Sequence, residues 1–184
     1  MRVIAGTAKG IRLGPVPLGV RPMSDRAKEG LFSSLAPELA GARVLDLFAG
    51  TGSLGIEALS RGADRAVFVE RNRSALQVLR DNLARVRLSE RADVIGADAS
   101  GFLSRPPSRG EGPFDLVLAD PPYDAAAQEV AGLLEGPPGE WLAPGATVAL
   151  TRGRRSSTPV IPVHWLVSRR LEYGDTAVLI FREA

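Results

Sequence analysis

Short apolar runs alternating with helix-like stretches leave this chain very few architectures. RVLDL at 43–47 runs into a glycine-rich turn and a helix-like 53–61, and AVFVE at 66–70 leads to a polar-apolar helix over 72–87. ADVIGAD at 92–98 is the third apolar run. After a loop rich in Pro, Gly and Ser (SRPPSRGEG, 104–112) come a strand at 114–119, a helix at 125–135 and a strand at 145–150. This order predicts an α/β fold: a mostly parallel, doubly wound, Rossmann-like sheet covered by helices on both faces. The tail breaks the rhythm. PVIPVHWLV (159–167) and DTAVLIF (175–181) read as strands separated by seven residues, room for a hairpin but not for a crossover helix, so the sheet is expected to end on an antiparallel strand.

Ahead of the sheet, RVIA (2–5) and IRL (11–13) can pair as a small hairpin around Gly6 to Gly10. SDRAKEGLFSSL (24–35) reads as a helix capped by Ser24. The expected division is a hairpin extension over 1–20 and one α/β domain over 21–184, a length that buries a full core.

Composition excludes several chemistries. With no cysteine and one histidine, His164, the chain offers no disulfide, no thiolate zinc site, no cysteine nucleophile and no histidine-rich metal centre. It lacks a signal-peptide core, and no apolar run approaches the roughly 18 residues that span a bilayer, so a cytoplasmic protein without membrane or metal is expected. Charge is uneven: residues 1–35 carry six basic and two acidic groups, 36–150 carry 11 and 16, and 151–184 carry six and three. Two basic ends flank an acidic middle, a distribution suited to a polyanion if the ends fold together.

Parallel sheets bind ligands beyond the carboxyl ends of their strands, and Asp46, Glu70 and Asp120 sit at such ends. DLFAGTGSLG (46–55) satisfies G-x-G-x-x-G through Gly50, Gly52 and Gly55, and Glu70 follows Gly50 by 20 residues. Alone, that pattern favours a dinucleotide. Asp46 opposes it, because a carboxylate beside the turn would repel a pyrophosphate. S-adenosylmethionine (SAM) has an ammonium and a sulfonium instead: Asp46 can engage its amino-acid end, directly or through water, Glu70 its ribose hydroxyls and Asp98 with Ala99 its adenine.

FDLVLADPPYD (114–124) ends a buried-looking strand on an acid, two prolines and a ring. An exocyclic amine attacks poorly while its lone pair is delocalised into the base. The Asp120 carboxylate and the Pro121 carbonyl can accept its N–H bonds, the Pro121 and Pro122 rings fix where that carbonyl points, and Tyr123 can stack on the base.

On these motifs the chain resembles class I SAM-dependent methyltransferases, within them the [DNS]PP[YFW] amino-methyltransferases, and more closely the RsmD family of bacterial small-subunit ribosomal RNA guanine-N2 methyltransferases. The features that match are RVIAGTAKGIRL, RPMSDRAKEGLFSSL, VLDLFAGTGSLGIEALSRGA, FVERN, DPPYD and LEYGDTAVLIF, nearly end to end. The resemblance implies a seven-stranded sheet and a cofactor set of Asp46, Phe48, Gly50, Thr51, Gly52, Glu70, Arg71, Asp98 and Ala99. It also implies Asp120, Pro121, Pro122 and Tyr123 at the guanine amine. Arg21, Arg26 and Lys28 would lie near cofactor or RNA, and Arg2, Lys9 and Arg12 on RNA phosphates. The expected partner is 16S rRNA in the small subunit or an assembly intermediate, met by a monomer. The Pro- and Gly-rich stretches at 104–112 and 136–140 depart from the pattern and touch no proposed site. Trp141, Trp165 and His164 read as packing. The competing readings are an N6-adenine DNA methyltransferase, a non-catalytic ribosome-assembly RNA-binding protein and an NAD-dependent oxidoreductase.

Overall fold

A computed structural model describes residues 1–16, 23–108, 110–121, 126–135, 141–156 and 159–183. Seven strands form one sheet: β1 (Arg43–Leu47), β2 (Arg65–Glu70), β3 (Ala92–Gly96), β4 (Phe114–Ala119), β5 (Leu142–Gly153), β6 (Trp165–Tyr173) and β7 (Thr176–Glu183), in the order β3-β2-β1-β4-β5-β7-β6. The pairs from β3 through β5 are parallel, and β7 runs antiparallel to both its neighbours. Five helices accompany them among the described residues: α1 (Asp25–Ser34), α2 (Ser53–Ser60), α3 (Arg73–Arg85), α4 (Ala99–Leu103) and α5 (Ala126–Glu135).

Strand alternation sorts the core into two layers. Val44, Phe68, Leu116, Leu118 and Ala149 pack with Leu31, Phe32, Ile56, Leu59 and Leu79 from α1, α2 and α3. Leu45, Leu47, Val67, Val117 and Val148 pack with Phe102, Val130, Leu134 and Trp141 on the other face. Both Trp141 and Trp165 are buried in this second layer, while His164 is exposed.

The hairpin forms as expected, with Arg2 bridging Arg12 and Val3 exchanging backbone bonds with Gly10 and Ile11 at 2.9 and 3.0 Å. It is not a free arm. Val3, Ala8 and Leu13 belong to the first core layer, and Glu57 of α2 accepts the Ile4 and Ala5 N–H groups at 2.7 and 3.0 Å. A side chain at Gly6 would place its Cβ 1.8 Å from the Ser60 carbonyl oxygen, so only glycine lets the hairpin turn lie on the end of α2. Ser24 caps α1 by accepting from the Ala27 N–H, as the sequence predicts.

The tail differs from expectation. Residues 159–164 precede the strand, and the edge strand β6 is built instead from Trp165–Tyr173, paired to β7 across Gly174 and Asp175. Pro159 and Pro162 cannot donate to a ladder. RRLEY takes the strand despite its polarity because an edge strand leaves many side chains in water, and Gly174 at φ 59 makes the tight turn.

Candidate active site

The sheet order reverses between β1 and β4, and that switch point brings the proposed groups together. Leu47 is in register with Ala119, so the glycine loop leaving β1 and the Asp120–Pro121 segment leaving β4 start side by side. The loop needs unusual backbone: Phe48, Gly50 and Gly52 stand at φ 67, 55 and 84. Two glycines are required for different reasons. A Cβ at Gly52 would lie 2.2 Å from Leu79 Cδ1 of α3, whereas one at Gly50 would meet no protein atom within 4 Å. Gly50 therefore opens onto unfilled space beside the strand ends.

Two carboxylates hold this loop. Glu70, at the end of β2, accepts the Gly50 N–H at 2.8 Å and the Asn72 N–H at 2.7 Å. Only partly buried, it keeps lone-pair capacity for further donors. Asp46 is 1% exposed and accepts the Gly55 N–H of α2 at 2.8 Å. Burial pushes its carboxyl up to about 8, against the Gly55 hydrogen bond and with help from the neighbouring Asp120 and Glu70 charges. Burial therefore works against the negative charge expected on Asp46, and with it against the expected repulsion of a pyrophosphate.

Along the same edge Asp98 precedes α4 and pairs with Arg71 at 3.3 Å, both well exposed, while Ala99 is buried behind them. Thr51 is buried, and its carbonyl accepts from Asn82 Nδ2 at 2.9 Å.

Asp120 is one residue beyond β4 and partly exposed. Its position in the β4–β5 register follows Ala119 opposite Leu150, which puts Thr151 beside it, and the Thr151 hydroxyl donates to its carboxylate. Burial pushes Asp120 up to about 6, and the Thr151 bond opposes that rise. Pro121 is partly buried. Pro122 and Tyr123 lie outside the described residues, as does Arg21.

The basic residues separate into two groups. Arg2, Lys9, Arg12 and Arg26 are exposed, with Arg2 paired to Asp25 at 2.9 Å. Lys28 is fully buried: its ammonium donates to the Arg2 carbonyl at 2.6 Å and to Ser53 Oγ at 3.3 Å, with Glu57 at 3.5 Å. Desolvation lowers its pKa, against the nearby Glu57 and Asp25 charges. It presents no face to a polyanion and serves instead to join hairpin, α1 and α2. Sequence reasoning passed over its partner Glu57, as it did Asn82 and Thr151. A signal existed: Glu57 is the one acid in an otherwise apolar or small-residue helix, SLGIEALS, and Asn82 falls on the buried stripe of α3 with Leu76, Leu79 and Leu83.

The residues present fit SAM. Gly50 leaves room where a ligand backbone would pass, Glu70 is fixed with acceptors to spare, and Asp98 stands accessible one strand farther along. Among the described residues no cluster of His, Cys, Asp or Glu could hold a metal ion, and no helix is long and apolar enough to cross a membrane.

Comparison with known proteins agrees with this geometry. The family model described as Conserved hypothetical protein 95 matches residues 1–182. The chain is 37% identical to ribosomal RNA small subunit methyltransferase D of Escherichia coli K12, over all of this chain and 91% of that protein. A solved Escherichia coli structure described as a methyltransferase superposes with a TM-score of 0.86 at 36% identity, covering 100% of this chain and 97% of that one. An RNA methyltransferase from Salinibacter ruber, solved with S-adenosyl-L-homocysteine, shares the fold at a TM-score of 0.64 and 16% identity, covering 89% of this chain and 94% of that one.

Proposed function

This chain belongs to the Conserved hypothetical protein 95 family, the RsmD family, and on that premise we propose that it transfers a methyl group from SAM to the exocyclic N2 amine of one guanine in 16S ribosomal RNA. The observation that carries the reading is the meeting, at the switch point, of a glycine loop with an open side and a partly exposed carboxylate followed by proline.

SAM supplies an electrophilic methyl group on a sulfonium. Glu70 would receive the ribose hydroxyls and Asp98 the adenine amine, while Gly50 would let the loop backbone close on the methionine portion and Gly52 seats the loop against Leu79. Asp46 acts one step behind, holding Gly55 and thereby the start of α2. At the reacting centre the Asp120 carboxylate and the Pro121 carbonyl accept the guanine N–H bonds, which favours a tetrahedral nitrogen and stabilises its developing positive charge. The N2 lone pair forms the new N–C bond as the S–C bond breaks, its electrons returning to sulfur. The methylated nitrogen is acidic enough to lose its proton without a strong base. Tyr123 stacks on the guanine in this account, and the exposed Arg2, Lys9, Arg12 and Arg26 meet the RNA backbone.

The test is methyl transfer from labelled SAM to small ribosomal subunits lacking native modifications, with mass spectrometry of the labelled nucleoside. Label in N2-methylguanosine at one 16S position is expected. Label in N6-methyladenosine, or bound SAM with no transfer to RNA, would overturn the assignment.

A further inference from the structure

Asn82 lies on α3, outside every group the chemistry above employs, and is fully buried. A buried amide destabilises the fold unless both its ends are satisfied, and here both are. Its Oδ1 accepts the Gly14 N–H at 2.7 Å, and its Nδ2 donates to the Thr51 carbonyl at 2.9 Å. Gly14 offers that oxygen a donor and Thr51 offers that nitrogen an acceptor, so the pair of bonds fixes which way the amide points. One bond reaches the segment leaving the N-terminal hairpin, and the other reaches the middle of the glycine loop. Gly52, the next loop residue, packs on Leu79 one turn earlier on α3, with no room for a Cβ. The loop backbone is therefore gripped from two sides, by Glu70 of β2 at Gly50 and by Asn82 of α3 at Thr51.

We propose that Asn82 is a positioning residue for the cofactor, holding the glycine loop in its binding shape through the Thr51 carbonyl and tying that loop to the hairpin through Gly14. The proposal rests on reading the loop as the SAM site. It separates binding from chemistry: Asn82 contacts neither Asp120 nor the base, so its loss weakens cofactor binding and leaves the rate at saturation in place.

Binding of S-adenosylhomocysteine by calorimetry, on folded protein well below each variant's Tm, tests this with Asn82→Ala, Asn82→Asp and Leu83→Ala. Asn82→Asp, read at about pH 9 because a protonated carboxyl could still donate to Thr51, keeps the acceptor for Gly14 and loses the donor, which isolates the loop half of the link. Leu83 is buried on the same helix at 2% exposure and serves as the control for general destabilisation. Both Asn82 variants are expected to bind about tenfold more weakly, the loss of roughly one hydrogen bond's worth of loop preorganisation. In turnover they raise KM for SAM and keep kcat. Leu83→Ala is expected to bind within about twofold of wild type. Wild-type affinity in Asn82→Asp, an equal loss in Leu83→Ala, or a fall in kcat with unchanged KM overturns the positioning role. A wild-type protein that does not bind S-adenosylhomocysteine overturns the cofactor reading itself.

Discussion

The ends of β1 and β4 are neighbours on one edge of the sheet, and each presents an aspartate to the same face, yet the two sites are built for different work. Asp46 is closed over by α2, receives the Gly55 N–H and is held up to about 8. Asp120 is two positions farther along the shared register, past the end of its strand and followed by Pro121. It stays partly exposed, receives the Thr151 hydroxyl and is held up to about 6. The contrast shows what a helix does to a strand-end carboxyl. Asp46, inside its strand and covered by a helix, becomes a fastener for that helix, and Asp120, beyond the end of its strand, remains available to a ligand.

The largest effect that would sharpen this contrast is on turnover. Asp120→Ala is expected to lower kcat by about 10²- to 10³-fold, the usual consequence of deleting one polar group aimed at developing charge. S-adenosylhomocysteine affinity, measured on the same protein, should stay near wild type. Unchanged kcat would remove Asp120 from the chemistry and the contrast with it.

Asp46 should respond in stability rather than turnover. Asp46→Ala strands the Gly55 N–H and is expected to lower unfolding free energy by about 1–3 kcal/mol in urea titrations. Asp46→Asn keeps an acceptor without a charge and should fall within about 1 kcal/mol of wild type near pH of about 4, where the wild-type side chain is uncharged in the fold. The pH dependence gives the sign. Because the folded pKa is raised above the unfolded value, Asp46 stabilises the fold fully below pH of about 4 and loses that contribution as pH rises through about 8. Asp46→Asn lacks this dependence, so its stability relative to wild type should improve steadily from pH 5 to pH 8. Parallel curves would mean that Asp46 is ionised in the fold.

Much of this was readable before any coordinates. β4 was legible to the residue, since FDLVLA is apolar at all but one position and stops at Asp120, and the mostly parallel sheet followed from the β-α order. The glycine loop was legible because φ values near 55 and 84 admit few residues besides glycine. Other features were hidden for identifiable reasons. β6 was misplaced because an edge strand carries no strong hydrophobic pattern, and an apolar run containing two prolines imitated one. The burial of Lys28 was hidden because a helix that sets Arg26 and Lys28 beside Asp25 and Glu29 gives no sign that Glu57, 29 residues on, will close over the lysine. Thr151 was hidden for a similar reason: its bond to Asp120 depends on register between two strands, which spacing within either strand does not reveal. Such long-range polar contacts are set by tertiary packing, and the local sequence carries them only as an odd polar residue on an apolar face.

The proposed chemistry turns on the Asp120 carboxylate accepting the guanine N–H, and the pH dependence of kcat at saturating SAM and RNA tests it most directly. Protonated Asp120 is a weaker acceptor and carries no charge to balance the one developing on nitrogen, so kcat should be level above pH of about 6 and fall about tenfold per pH unit below it, with the same limb in Asp46→Asn. A profile that stays level to pH 5, or a limb that moves when Asp46 is replaced, would contradict the assignment of chemistry to β4 and of fastening to β1.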